Sequence, residues 1–245
     1  MPGVIPLGMA TSSGDRRGTP VGRRLVLAMV GLGALGVATG KWISNGISSA
    51  VQSTAPGLAA VIPAAGGFRI YTVTDGYPEV DRLTYRLHIT GLVDRTLALS
   101  LDDLAKMQQT AMTKDFQCVT GWRVSDVPWS GVLLRDVLAA AGVQSDASAL
   151  RFISFDGAYT ESLSLDQGMR PDVLVATSMF GAPMEIRHGA PVRLYVAPMY
   201  GYKSIKWLST IEVTDKVKPG YWEVRGYDTD AYIGASNGGT EDPNV

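Results

Sequence analysis

Cys118 is the only cysteine among 245 residues, and it lies in a run, Asp115–Leu138, that also carries Trp122 and Trp129. One cysteine can form neither an intramolecular disulfide nor a multi-cysteine zinc site. It is either a small buried hydrophobe or a single thiolate available to a metal or an electrophile. A second stretch capable of chemistry follows: His188-Gly-Ala-Pro-Val-Arg193, then Tyr200-Gly-Tyr-Lys203-Ser204-Ile205-Lys206-Trp207. Its three cations, Arg193, Lys203 and Lys206, fall within fourteen residues. Planar Arg193 suits bidentate phosphate binding. Lys203 to Lys206 offer two ammonium groups and a hydroxyl at an expected helix start, where free N–H groups favour an anion. Two plainer readings compete. The cations could form an ordinary solvated face, and a Cys118–His188 pair could serve a cysteine hydrolase, although no local nucleophile signature accompanies it.

The surrounding pattern suggests what positions these groups. Phe68–Val73 is β-branched and aromatic, a short strand or extended segment ended by Asp75-Gly76. Leu83–Ile89 alternates strictly and predicts a half-buried strand with His88 facing solvent. Ser100 with Asp103 three residues later predicts a capped helix, and Ser164 with Gln167 predicts another. Ser130 is expected to open a helix whose apolar face includes Val132, Leu133, Val137, Leu138 and Ala141, and Gly142 to stop it. Leu150–Phe155, Val173–Thr177 and Val192–Val196 read as strands, the last with Arg193 and Tyr195 on its polar face, and Asp156-Gly157-Ala158-Tyr159 as a turn. Strands and short helices mix without a regular βαβ alternation, which predicts a single α+β domain.

Overall charge is −1, which argues against a nucleic-acid partner. Its distribution is uneven. Residues 1–66 carry +4, leaving −5 for the remainder, as in an exported protein with a basic leader. Arg23-Arg24 precede an uncharged stretch running to Thr39, too short for a comfortable membrane span but suited to a signal-peptide core. The adjacent arginines resemble a twin-arginine export signal, with an uncleaved anchor as the alternative. Gly31, Gly33 and Gly36 in that stretch match the dinucleotide-binding spacing formally. They lack the following amphipathic helix and the acidic residue about 20 positions on, so a nicotinamide cofactor is rejected. Residues 52–67 are uncharged and rich in Ala, Gly, Pro and Ser, as a linker would be. The expected organisation is a leader or anchor at 1–50, a linker at 51–67, the folded domain at 68–233 and a loose tail at 234–245.

Four ordered blocks, Phe116-Gln-Cys118-Val-Thr-Gly-Trp122, Trp129-Ser-Gly131-Val-Leu-Leu, His188–Arg193 and Tyr200–Trp207, resemble the molybdopterin-binding domain of the sulfite oxidase family. That family includes sulfite oxidases, plant-type nitrate reductases and bacterial methionine-sulfoxide reductase catalytic subunits, and the resemblance runs from about Phe68 to about Tyr232. It implies a Mo-molybdopterin cofactor with Cys118 as the protein's thiolate to molybdenum, the other sulfurs coming from the pterin dithiolene. It assigns His188, Arg193, Lys203, Ser204, Ile205 and Lys206 to the pterin and its phosphate. Tyr71, in the N-terminal segment, is assigned more loosely. Tyr159 and, less closely, Asp156 become candidates for the catalytic pocket.

The implied reaction is oxygen-atom transfer on a small sulfur- or nitrogen-containing substrate, sulfoxide or sulfite-like, with molybdenum cycling between its IV and VI states. With one cysteine there is no haem-attachment motif, so electrons must pass to an external protein, a membrane cytochrome b or a soluble cytochrome c. No immunoglobulin-like dimerisation domain is expected after the domain, which implies a monomer. Only Arg123, Arg170 and Arg187 could rebuild the arginine-rich sulfate pocket of true sulfite oxidases. The alternative is a cofactor-free binding module keeping the fold. Retention of Cys118, His188, Arg193 and Lys206 together argues against it.

Overall fold

The computed structural model describes residues 67–234. The expected export segment, most of the linker and the tail lie outside the described residues. Two sheets organise the chain. The first contains β1 (Leu87–Gly91), β2 (Leu97–Leu99), β5 (Ala149–Ser154), β6 (Thr160–Ser164) and β10 (Leu208–Thr214), in the order β2-β1-β10-β5-β6. The second contains β3 (Gln109–Gln117), β4 (Arg123–Leu133), β7 (Val173–Met179), β8 (Ala182–Pro183) and β9 (Arg193–Val196). β4 lies along one edge of β7, and β8 and β9 share its other edge. Only the β1–β10 pair is parallel. With short helices α1 (Leu101–Lys106), α2 (Leu134–Ala141) and α3 (Leu165–Gly168), this is the α+β architecture expected from the sequence. No helix among the described residues is long and apolar enough to cross a membrane.

Alternation on β7 shows where the core sits. Val173 and Val175 join Leu87, Ile89, Phe152 and Ile211 in the main cluster, whereas Leu174 and Ala176 face a second cluster around Phe116, Trp129 and Tyr195. β7 and β9 are therefore buried on both faces, whereas β3 and β8 at the sheet's edges keep exposed residues. Arg193 and Tyr195, expected on a polar face, instead enter the aromatic cluster: the Trp129 and Tyr195 rings stack at 4.1 Å, and the Arg193 guanidinium lies 5.3 Å from the Phe116 ring centre.

Both predicted capping boxes form, at Ser100/Asp103 and at Ser164/Gln167, Gly142 ends α2 with φ 73°, and His88 is exposed. Three expectations need correction. The strand predicted from Leu83 begins only at Leu87, because Asp81 accepts a hydrogen bond from Leu83 N at 2.9 Å and holds a turn that leaves Leu83 exposed. The helix predicted from Ser130 starts at Leu134. Residues Ser130 to Leu133 are still strand, paired with β3 and β7 on either side, so Val132 and Leu133 point into different clusters. No helix starts at Lys203; Gly201–Lys203 is a single 3-10 turn.

Candidate active site

The turn between β3 and β4 is built to present Cys118. Its backbone N–H donates to Trp122 O at 2.8 Å and its carbonyl accepts from Gly121 N at 3.0 Å. Gly121 supplies the φ of 89° that this tight reversal requires. The thiol receives a hydrogen bond from Thr120 Oγ1 at 3.2 Å. Burial pushes its pKa up, against the smaller downward pull of Thr120 and Arg69. A thiol held protonated in this way is a poor nucleophile, while coordination to a metal would deprotonate it outright. No hydrogen bond joins it to His188, so the hydrolase pair expected as an alternative has no geometric support.

One cleft gathers Cys118 with nearly all the other predicted residues. Tyr71, Asp156, Tyr159, His188, Arg193, Ser204, Ile205 and Lys206 all line it. They arrive from separate elements: the N-terminal segment, the β5–β6 turn, the 3-10 turn Ile186–His188, β9 and the loop before β10. Lys206 Nζ donates to Tyr71 O at 2.6 Å and lies 4.4 Å from the Trp207 ring centre. Burial, reinforced by Arg193, draws its pKa down to about 7. His188 is buried against the edge of Phe68, its Nδ1 has no hydrogen-bond partner among the described residues, and burial with the nearby Arg193 and Arg187 lowers its pKa to about 4. Arg193 donates to the carbonyls of His188 at 2.8 Å and Ser204 at 2.7 Å. It thereby ties together the two loops that carry the other polar groups. Ser204 Oγ accepts from Val196 N at 3.0 Å.

Lys203 is the exception among the assigned residues. Its side chain is fully buried outside the cleft lining, bonded to Glu161 at 2.8 Å, to Ser162 O at 2.7 Å and to Glu223. The 3-10 turn ends at Lys203 with its side chain facing the interior, and Lys206, in the loop that follows, reaches the cleft. Asp156 and Tyr159 line the cleft with their polar atoms engaged. Asp156 Oδ1 accepts from Ser154 Oγ, Ala158 N and Tyr159 N. The Tyr159 hydroxyl donates to Tyr202 O at 2.6 Å, and burial keeps it protonated. The cleft also includes Phe68, Arg69, Trp222 and Tyr227. Phe68 and Arg69 belong to the extended segment read from the sequence, but Trp222 and Tyr227 did not stand out there, because single aromatic residues carry no spacing signal.

A family model for the oxidoreductase molybdopterin binding domain matches residues 74–222. The chain belongs to this family. The resemblance read from the four sequence blocks therefore holds: this is a molybdopterin-dependent oxidoreductase. Among its relatives, the uncharacterized oxidoreductase YuiH of Bacillus subtilis is 35% identical over 147 residues, 60% of this chain and 74% of that protein. The putative protein-methionine-sulfoxide reductase subunit YedZ1 of Azospira oryzae is 32% identical over 160 residues, 65% of this chain and 60% of that one. Mitochondrial sulfite oxidase of Mus musculus is 35% identical over 180 residues, 61% of this chain but only 33% of the relative.

The cleft fits the family's cofactor. A half-buried thiol is held protonated, and among the described residues a desolvated ammonium is hydrogen-bonded only to a backbone carbonyl and a buried imidazole nitrogen lacks a partner. A group carrying both a soft metal and a phosphate would satisfy all three.

Proposed function

We propose that this protein is an exported molybdenum-cofactor oxidoreductase that moves an oxygen atom to or from a small uncharged substrate, a sulfoxide foremost, and exchanges electrons with a separate redox protein. When bound, the cofactor supplies a two-electron centre able to accept or release an oxygen atom. In this reading Cys118 binds the molybdenum. Lys206, His188 and Arg193 hold the pterin and phosphate, assisted by the backbone at Ser204 and Ile205 and by the Tyr71 segment. Thr120 steadies the thiolate by donating to it. Tyr159, Trp222 and Tyr227 wall the cleft and exclude water. Reducing a sulfoxide consumes two electrons and two protons and releases water with the thioether, so the protein needs a donor surface but no second substrate site.

The observation that carries the reading is the meeting of Cys118, His188 and Lys206 in one cleft. An uncharged substrate is favoured over sulfite by what the arginines do. Arg123 pairs with Asp115, and Arg170 pairs with Asp172 at 2.9 Å; neither lines the cleft. Arg187 lines it but pairs with Glu185 at 2.7 Å. Arg69 also lines the cleft, and aromatic walls with that one further guanidinium suit a neutral sulfoxide better than a dianion.

Holoprotein assayed with a reduced dye should turn over dialkyl sulfoxides far faster than it oxidises sulfite. Sulfite turnover exceeding that of every sulfoxide would overturn the substrate reading. Export rests on Arg23-Arg24; replacing both with lysine should trap the protein in the cytoplasm, and unchanged secretion would exclude the twin-arginine route.

A further inference from the structure

The interior around Lys203 holds two carboxylates and one ammonium that the proposed chemistry does not use. Lys203 and Glu161 have no exposed surface, and Glu223 is almost as deeply buried. Burial raises the Glu161 pKa, Lys203 opposing and Glu223 adding to the rise, and Glu161 Oε2 has no hydrogen-bond partner among the described residues. A buried group of this kind is costly unless it holds something in place.

What it holds can be read from the chain. Glu161 belongs to β6, Lys203 to the turn beneath the cleft, and Glu223 to the 3-10 turn Glu223–Arg225. Glu223 also accepts from Gly220 N at 2.6 Å, so the carboxylate that Lys203 holds also closes the 220–223 turn. Directly before Glu223 lies Trp222, and Tyr227 follows after the turn; both line the cleft. Their rings meet at 5.2 Å, and Tyr227 meets Tyr202 edge-on at 5.4 Å. Tyr221 N donates to Thr160 O at 2.8 Å and its ring stacks on Tyr159 at 5.5 Å. The loop therefore leans on the cleft through aromatic contacts and is anchored from behind by one three-membered ion cluster.

We infer that Lys203, Glu161 and Glu223 form a positioning pin that fixes residues 220–227 as the wall of the substrate cleft, and that this wall limits the size of the groups flanking the reacting atom. Lys203 thus acts on the site through Trp222 and Tyr227 rather than by touching the cofactor. The size-selection half rests on the proposed sulfoxide chemistry. The pin itself does not.

Two arms keep these apart. Hydrogen–deuterium exchange on cofactor-free protein tests the pin alone. Glu223→Gln keeps the shape and leaves the Lys203–Glu161 pair, so it should fold; amides in 220–227 should exchange about tenfold faster while β4 and β7 keep wild-type rates. Unchanged exchange at 220–227, or an equal rise in every element, would overturn the pin. Kinetics on molybdenum-loaded protein tests the wall. For Glu223→Gln and Trp222→Ala, the KM ratio of methyl phenyl sulfoxide to dimethyl sulfoxide should fall about tenfold, and in Glu223→Gln, at a position that does not line the cleft, kcat for dimethyl sulfoxide and molybdenum content should stay near wild type. An unchanged ratio in both variants would overturn size selection. Absence of sulfoxide turnover in wild type would refute the proposed function and, with it, size selection, leaving the exchange result to decide the pin.

Discussion

Lys206→Met tests the cleft's electrostatics without needing the cofactor. In the folded apoprotein the Lys206 ammonium titrates at about 7, against an ordinary value of 10.5. Between these values the unfolded chain binds more protons, so the native state gains stability as pH rises; below about 7 the penalty is complete. Charging the buried lysine then costs about 5 kcal/mol. Between pH 7.5 and 9 the relief amounts to about 2 kcal/mol, which for a domain of this size is a rise in Tm of about 4–8 °C. Other groups titrate over the same range, so the informative quantity is the difference between wild type and variant. Methionine preserves the stem and removes the charge. Calorimetric scans at matched ionic strength should show wild-type apoprotein gaining on Lys206→Met as pH rises, the advantage of the variant shrinking from about pH 7.5 to 9. Parallel curves for the two proteins would refute the claim that Lys206 is a desolvated cation waiting for an anion. Loading the cofactor should abolish the difference in slope, because a phosphate beside Lys206 keeps the ammonium protonated.

His188→Ala should reduce pterin retained per protein after gel filtration, measured by fluorescence of the released pterin; unchanged content would remove His188 from the cofactor site. Ser100→Ala removes the hydroxyl that accepts from Asp103 N at 3.1 Å and should cost about 1 kcal/mol in urea unfolding, with no change in cofactor content. Gly131→Ala is predicted to be far worse. Its Cβ would lie 2.1 Å from Val175 O, so β4 and β7 would have to part. A loss of about 3 kcal/mol is expected, and a loss under about 1 kcal/mol would mean that the strand pair yields easily.

Local signals in the sequence carried well into three dimensions. The caps at Ser100 and Ser164 formed because a side-chain oxygen and a backbone N–H three residues on need nothing distant. The cleft was legible because its polar groups sit in a few ordered blocks, not because the chain between them declared its path. Where tertiary packing decides, the pattern misled. Ser130 to Leu133 resembled a helix start because apolar residues adjoin a true helix, but pairing on both sides made them strand. Arg193 resembled a surface residue because alternation assumes one wet face, whereas β9 is buried throughout. Lys203 and Lys206 were indistinguishable by type; Lys203, at the end of the 3-10 turn Gly201–Lys203, points inward, whereas Lys206, in the loop before β10, reaches the cleft. Trp222 and Tyr227 reach the cleft from about a hundred residues beyond Cys118, a contact no local pattern encodes.

The central claim is that Cys118 is the protein's ligand to molybdenum. X-ray absorption at the molybdenum edge, on wild type and Cys118→Ser loaded with equal metal, addresses it directly. The account predicts one fewer sulfur neighbour in the variant, with pterin still bound and the fold intact by circular dichroism. An identical sulfur count in the two proteins would contradict it.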